Sequence, residues 1–200
     1  DFLTETLLTF ADELGLERFH LVGNSLGGAL CMQLALDHAP RVDRLVLMAP
    51  GGMEAREVYM EMRGIRSMLR AIFDPEGLSL GSMRKVFEKQ LFERAHLDDN
   101  LLKQRLAIAQ TQPQGVFATS RVPNFSDRLE GIQQPTLAFW GNEDQFCPVS
   151  GAEKLAKSVP NIRVLRISRC GHWVMVEHQA LFNRLCAEFL KGMLCQSTNP

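Results

Sequence analysis

The sequence Gly23-Asn24-Ser25-Leu26-Gly27-Gly28 follows the apolar run Phe19-His20-Leu21-Val22. A serine between two glycines, directly after an apolar segment, is typical of a sharp turn from a strand into a helix. The glycines let strand and helix approach closely, and the strained turn lifts the serine hydroxyl clear of the sheet. Residues 25–38 continue with apolar residues at near-helical spacing. We therefore predict Ser25 as a nucleophile, with the backbone N–H of Leu26 pointing at the developing oxyanion.

A serine nucleophile needs a general base and a residue that orients this base. Asp144 comes shortly after the strand-like segment 136–138, and His172 comes shortly after the strand-like segment 163–167. Open α/β sheets gather their chemistry at the carboxyl ends of their strands, so the three side chains are expected to meet there. The sequence predicts a triad of Ser25, Asp144 and His172, in the chain order known for nucleophile-elbow hydrolases.

Both partners of the serine have rivals in the sequence. Glu143 stands beside Asp144 as a second acid, and an aspartate after a strand is also a common turn or capping residue. His172 is favoured because it lies in a strand-exit loop between a glycine and a tryptophan. The competing histidines are His20, His38, His96 and His178.

Composition indicates one enzymatic domain, or most of one. The chain has 200 residues, of which 46% are hydrophobic, and its net charge of -1 offers no basic surface for nucleic acid. No apolar stretch has the length of a membrane span and no signal peptide is visible, so a small-molecule partner is expected. An odd number of cysteines without a C-x-x-C pair predicts free thiols in a reducing cytoplasm. They are Cys31, Cys147, Cys170, Cys186 and Cys195.

The order of predicted elements is typical of an α/β fold with a mostly parallel sheet and an inserted helical cap. Between the second and third predicted strands no alternating or β-branched run occurs, and apolar residues repeat at helical spacing in short pieces. The predicted units are a first core part at 1–52, the cap at 53–131, a second core part at 132–195 and a tail at 196–200.

Four stretches of the chain together resemble the meta-cleavage product hydrolases. These are α/β-hydrolases that cleave carbon–carbon bonds in ring-fission products of aromatic catabolism. The stretches are Leu21-Val22-Gly23-Asn24-Ser25-Leu26-Gly27-Gly28-Ala29, Leu47-Met48-Ala49-Pro50-Gly51-Gly52, Trp140-Gly141 with Asp144, Phe146 and Pro148, and Cys170-Gly171-His172-Trp173 with Glu177-His178.

The resemblance implies the substrate class and the residues that bind it. The substrate would be a 2-hydroxy-6-oxo-hexa-2,4-dienoate, whose carboxylate Arg105 would hold and whose oxygen atoms Asn24 would contact. Phe146 and Trp173 would line the site. No metal or organic cofactor is implied, and family members commonly form homo-oligomers. A carboxylesterase is the alternative, since it shares the triad and has no need for Arg105.

The chain departs from this family at its front. Family members begin with further strands and a His-Gly-rich loop that supplies a second oxyanion N–H, whereas no histidine of this chain precedes a glycine. The sequence thus resembles the carboxyl-terminal two-thirds of such an enzyme and is expected to be a fragment with an open sheet edge. Loss of one oxyanion donor typically slows turnover about a hundredfold or more.

Overall fold

Four parallel strands form the centre of the protein. In the computed structural model, which describes residues 2–112 and 121–195, they lie in the order β1-β2-β3-β4. Their bounds are β1 Phe19–Asn24, β2 Val42–Met48, β3 Thr136–Gly141 and β4 Ile162–Ile167. All six residues of β3 are buried, as is typical of a parallel strand with helices on both faces. The predicted α/β fold with a parallel sheet is confirmed.

Helices connect the strands. The apolar spacing of the sequence predicts helices at residues 4–14, 25–38 and about 178–191, and all three are present with ends that differ by one or two residues. The described helices are α1 Phe2–Glu13, α2 Leu26–Asp37, α3 Arg56–Glu61, α4 Arg63–Ile72, α5 Leu80–Gln90, α6 Asp99–Thr111, α7 Ser150–Ser158, α8 Val174–Glu177 and α9 Gln179–Leu190.

The two faces of the sheet bury different sets of side chains, because successive residues of a strand point to opposite faces. Leu45 and Leu47 of β2 pack in one cluster with α2 and α7. Val46 and Met48 of the same strand pack in a second cluster with α8 and α9. Burying one such side chain stabilises the fold by about 1.5–3 kcal/mol. Both faces of β2 are therefore covered.

Helices α3 to α6 lie between β2 and β3 in the chain, where the cap is predicted, and no strand occurs there among the described residues. Helices α4 to α6 contribute to a third hydrophobic cluster, which includes Ala71, Met83, Val86, Phe87, Leu91, Leu97 and Leu102. Three residues from the two ends of this segment, Met53, Phe125 and Leu129, instead belong to the cluster that contains Leu45 and Leu47. The exact unit boundaries stay a prediction, and the predicted tail 196–200 lies outside the described residues.

Strand β1 forms one edge of the described sheet and hydrogen-bonds only to β2 within it. Val22 in this strand is 47% exposed. No helix in the described parts of the chain has both the length and the apolar character needed to cross a membrane.

Candidate active site

Ser25 occupies a strained turn between β1 and α2. Its φ of 56° and ψ of -117° lie in a region that non-glycine residues rarely adopt, and such strain costs about 1–3 kcal/mol. Hydrogen bonds hold it: Ser25 N donates to Met48 O at 3.0 Å, and Gly51 N donates to Ser25 O at 2.9 Å. Leu26 begins α2, so its N–H belongs to the first turn, where the N–H groups lack intrahelical acceptors.

The glycines that this turn requires are Gly23 and Gly28. A Cβ atom on Gly23 would lie 2.4 Å from the carbonyl oxygen of Gly27, and one on Gly28 would lie 2.8 Å from Cβ of Pro50. A Cβ atom on Gly27 would meet none of the described atoms within 4 Å beyond its own helix backbone and chain neighbours. The close approach of β1 to α2 therefore depends on Gly23, and Gly28, rather than Gly27, makes room for Pro50 after β2.

Asp144 and His172 form a buried pair beyond the ends of β3 and β4. Nδ1 of His172 lies 2.7 Å from Oδ2 of Asp144, and the two side chains are 3% and 0% exposed. Oδ1 of Asp144 accepts hydrogen bonds from the backbone N–H of Phe146 at 2.7 Å and of Cys147 at 3.0 Å. A carboxylate only accepts, so Nδ1 carries the imidazole proton and Nε2 is left as the basic nitrogen.

The rival acid lies elsewhere in the same loop. Oε2 of Glu143 accepts a hydrogen bond from the backbone N–H of Cys170 at 2.9 Å, and Glu143 is an exposed residue. Among the rival histidines, His20 lies 3.4 Å from Asp43 at the surface. The geometry favours Asp144 as the partner of His172.

The elbow contacts the loops that carry His172 and Asp144. Nδ2 of Asn24 donates to the carbonyl of His172 at 3.3 Å and to that of Met48 at 3.1 Å. The Ser25 hydroxyl partly offsets the rise in the pKa of the Cys147 thiol, which lies in the Asp144 loop. Asn24 thus joins the elbow to the His172 loop, and its contact with substrate stays a prediction.

Two aromatic side chains predicted to line the site flank the histidine. Phe146 stacks on the imidazole of His172, with ring centroids 5.1 Å apart and an interplanar angle of 22°. Trp173 meets Phe87 of α5 edge to face at 4.9 Å. Both rings therefore help to fix the histidine loop, whatever contacts they make with a ligand.

Arg105 lies beside this cluster. It is exposed on α6, and its guanidinium carbon is 5.8 Å from the ring centroid of Trp173. A planar guanidinium over an indole ring is a favourable arrangement that leaves N–H groups at its edge for a carboxylate. The structure thus places Arg105, which is predicted to bind the carboxylate of the substrate, next to Trp173, the residue after His172.

Two residues at this site carry no prediction from the sequence. The carbonyl of Gln90, at the end of α5, accepts hydrogen bonds from the N–H groups of His172 and Trp173. The carboxylate of Glu177 accepts from backbone N–H groups of both the cap and the histidine loop. The only sequence signal is the position of Glu177, five residues after His172, in the resemblance motif.

The buried thiols are poor alternatives to Ser25. Burial raises the pKa of Cys31 to about 12 and that of Cys147 well above its ordinary value. For Cys170, burial and then the negative charge of Glu177 also raise the pKa. Since the thiolate is the nucleophile, these groups are unreactive near neutral pH.

The cytoplasmic location that the cysteine content predicts stays a prediction.

Within residues 2–112 and 121–195, no group of three or more histidine, cysteine, aspartate or glutamate side chains is placed to hold a metal ion. The site as described consists of a strained serine, a buried aspartate–histidine pair and a cationic side chain at the cap. Such a set is suited to acyl transfer by a serine nucleophile with general-base assistance.

Comparison with known proteins identifies the class. Residues 1–179 match the α/β hydrolase fold family. The chain therefore belongs to the α/β-hydrolase fold family.

Individual relatives indicate which hydrolases within this fold family the chain is similar to. The chain is 36% identical over 188 residues to 2-hydroxy-6-oxo-6-phenylhexa-2,4-dienoate hydrolase of Burkholderia cepacia, covering 90% of this chain and 65% of the relative. It is 33% identical over 201 residues to 2-hydroxy-6-oxononadienedioate/2-hydroxy-6-oxononatrienedioate hydrolase of Burkholderia vietnamiensis, covering 96% of this chain and 68% of the relative. These names confirm the predicted resemblance to the meta-cleavage product hydrolases.

A solved structure agrees with both matches. The meta-cleavage product hydrolase of Pseudomonas fluorescens IP01 aligns with a TM-score of 0.81 and 27% identity, over 94% of this chain and 70% of that one. The chain thus spans about two thirds of the length of the relatives that it matches, 65% for the Burkholderia cepacia protein.

Proposed function

We propose that this chain carries the catalytic triad of a hydrolase that cleaves a carbon–carbon bond in 2-hydroxy-6-oxo-hexa-2,4-dienoate-type ring-fission products. The observation that carries the substrate class is the guanidinium of Arg105 over Trp173, beside the buried His172–Asp144 pair. A cation in this position can hold the carboxylate of a dienoate while the distal carbonyl reaches Ser25. The names of the relatives support the same substrate class.

The proposed reaction begins with a tautomerisation. The bound dienol is converted to its keto form by loss of the hydroxyl proton and protonation of a chain carbon. The protonated carbon is one end of the bond to be broken, and the remaining C=C double bond links it to the new keto group. When the bond breaks, the keto group accepts the electron pair and the departing carbon leaves as a stabilised dienolate. The chain supplies a cation, Arg105, and a base, His172, for this step.

The second stage is acyl transfer. The Ser25 hydroxyl attacks the distal carbonyl while its proton passes to Nε2 of His172, and the Leu26 N–H stabilises the oxyanion. When the carbon–carbon bond breaks, its electron pair leaves with the dienolate, which takes up a proton. Water, deprotonated by His172, then hydrolyses the acyl ester on Ser25. Asp144 keeps the imidazole in the tautomer that this sequence needs.

Replacing Arg105 with alanine tests the substrate class. We expect KM for a ring-fission product to rise about 10- to 100-fold, which corresponds to one charge-assisted hydrogen-bonded contact. Turnover of a neutral p-nitrophenyl ester should stay within about threefold of the wild type, because that ester has no carboxylate to hold. The assay follows the loss of the yellow colour of the ring-fission product and the release of p-nitrophenol.

The matched control is Lys103→Ala, which removes an exposed positive charge from the same helix two residues away. It should change neither assay by more than about twofold, since general surface charge acts weakly at this range. If Arg105→Ala leaves dienoate cleavage unchanged, the carboxylate role is wrong. Ester cleavage without any dienoate cleavage by the wild type would instead favour a carboxylesterase. Both assays are run on the chain alone and with the preceding segment of a relative supplied.

A further inference from the structure

Glu177 links the histidine loop to the cap through its carboxylate. It ends the short helix α8, one turn beyond His172. Its Oε1 accepts hydrogen bonds from the backbone N–H of Phe92 at 2.6 Å and of Glu93 at 2.8 Å. Its Oε2 accepts from the backbone N–H of Gly171 at 2.6 Å. One side chain therefore satisfies donors from two segments that are far apart in the chain.

The backbone of the cap also hydrogen-bonds to the histidine loop, and we call this contact between residues 90–93 and residues 171–177 the seam. The carbonyl of Gln90 accepts from the N–H of His172 at 2.7 Å and of Trp173 at 3.2 Å. The two backbones are in close contact, because a Cβ atom on Gly171 would lie 2.5 Å from the oxygen of Gln90. The backbone immediately before and at His172 is thus held by residues that lie in or directly after the cap helix α5.

We propose that Glu177 is a positioning residue that ties the His172 loop to residues 90–93 and so sets the place of the imidazole in the triad. This inference rests on the proposed function, since it takes His172 as the base for Ser25. Three backbone N–H groups donate to this one carboxylate, and its negative charge strengthens each hydrogen bond. Together these bonds restrict the conformation of the His172 loop. Displacing a catalytic group by about 1 Å costs on the order of a hundredfold in rate.

Two substitutions of Glu177 distinguish the effect of its side-chain length from the effect of its negative charge. In Glu177→Gln the amide has one accepting oxygen, so its NH2 group faces an N–H donor whichever way it turns. Glu177→Asp keeps the negative charge but is one methylene shorter, so it cannot bridge the cap and Gly171 together. If the charge alone matters, the aspartate variant resembles the wild type. If position matters, both variants lose activity.

The matched control is Glu93→Gln. Its side chain pairs with Arg169 at the surface of the same seam, whereas its backbone N–H, which Glu177 binds, remains. This variant removes the same charge from nearly the same place without removing an acceptor from the seam. Its side chain has no part in the triad.

The experiment measures kcat and KM for a ring-fission product, the rate at which a fluorophosphonate labels Ser25, and hydrogen exchange of amides 90–93 and 171–173. For Glu177→Gln and Glu177→Asp we expect kcat and the labelling rate to fall about 10- to 100-fold, with KM changed less than about threefold. Exchange at 171–173 should accelerate. Glu93→Gln should stay within about threefold of the wild type in all three readouts.

Faster exchange in the Glu177 variants with unchanged kcat and labelling would overturn the proposal, because Glu177 would then stabilise the seam without positioning His172. A loss in Glu177→Gln that Glu177→Asp fully restores would overturn it too, in favour of charge. The labelling readout keeps this test separate from the substrate: wild type that labels at Ser25 but does not cleave dienoates contradicts the proposed substrate class, while the comparison of Glu177 variants still decides the role of Glu177.

Discussion

Replacing Ser25 with alanine is expected to lower kcat for any substrate of this site by about 10⁴- to 10⁶-fold, the range found when a triad nucleophile is removed. The alanine variant should keep the fold, because the hydrogen bonds that hold this turn are made by the backbone N–H and carbonyl of Ser25. The strained φ of 56° is imposed by neighbouring backbone bonds that alanine retains. The measurement is kcat for a ring-fission product and for a p-nitrophenyl ester.

Ser158→Ala is the matched control for this substitution. Ser158 ends α7, away from the elbow, and its replacement removes the same hydroxyl from the same kind of side chain. It should leave kcat within about twofold of the wild type. Activity of Ser25→Ala within tenfold of the wild type would show that another group, or a bound water, is the nucleophile.

Replacing Asp144 with asparagine is expected to lower kcat about 10⁴-fold with little change in KM. The Phe146 and Cys147 N–H groups will retain an accepting oxygen at the Oδ1 position, so the new NH2 group must face His172. A donor opposite Nδ1 forces the imidazole proton onto Nε2, where the base should be. The variant is then folded but carries the wrong tautomer.

Glu143→Gln serves as the control for this substitution, because Glu143 is the neighbouring acid and the residue that competes with Asp144 in the sequence. Its carboxylate accepts from the N–H of Cys170, and glutamine can retain that bond with its amide oxygen. We expect less than a tenfold fall in kcat, as for loss of charge from one exposed side chain. Steady-state kinetics of the two variants side by side decide between the two acids. A larger loss of kcat in Glu143→Gln than in Asp144→Asn would show that Glu143 is the acid that orients His172.

The sheet and the places of Ser25, Asp144 and His172 could be predicted from local sequence. Each follows an apolar strand segment, and parallel strands bring their carboxyl ends to one edge, so the three stretches are expected to lie near one another without any long-range information. The His172–Asp144 pair agrees with this expectation. Glu143 and Asp144 are adjacent, and only the direction of the loop after β3 decides which carboxylate reaches His172.

The contacts of the cap with the histidine loop could not be predicted in this way. Glu177 binds Phe92 and Glu93 across 85 and 84 residues of sequence, and the seam depends on how helices pack on the sheet. Residue type gives little guidance there, because the partners on the cap side are backbone N–H groups that every segment possesses. The choice between Gly27 and Gly28 as the glycine needed for packing also rests on the position of Pro50, which the motif does not contain.

The most direct test of the central claim identifies the residue that reacts as the nucleophile. The chain is treated with a fluorophosphonate, digested, and examined by peptide mass spectrometry for the position of the covalent adduct. We predict a single adduct on Ser25, formed far more slowly in His172→Ala and Asp144→Asn. An adduct on a different serine, or an unlabelled Ser25 in the folded wild-type chain, would contradict the assignment of Ser25, His172 and Asp144 as a catalytic triad.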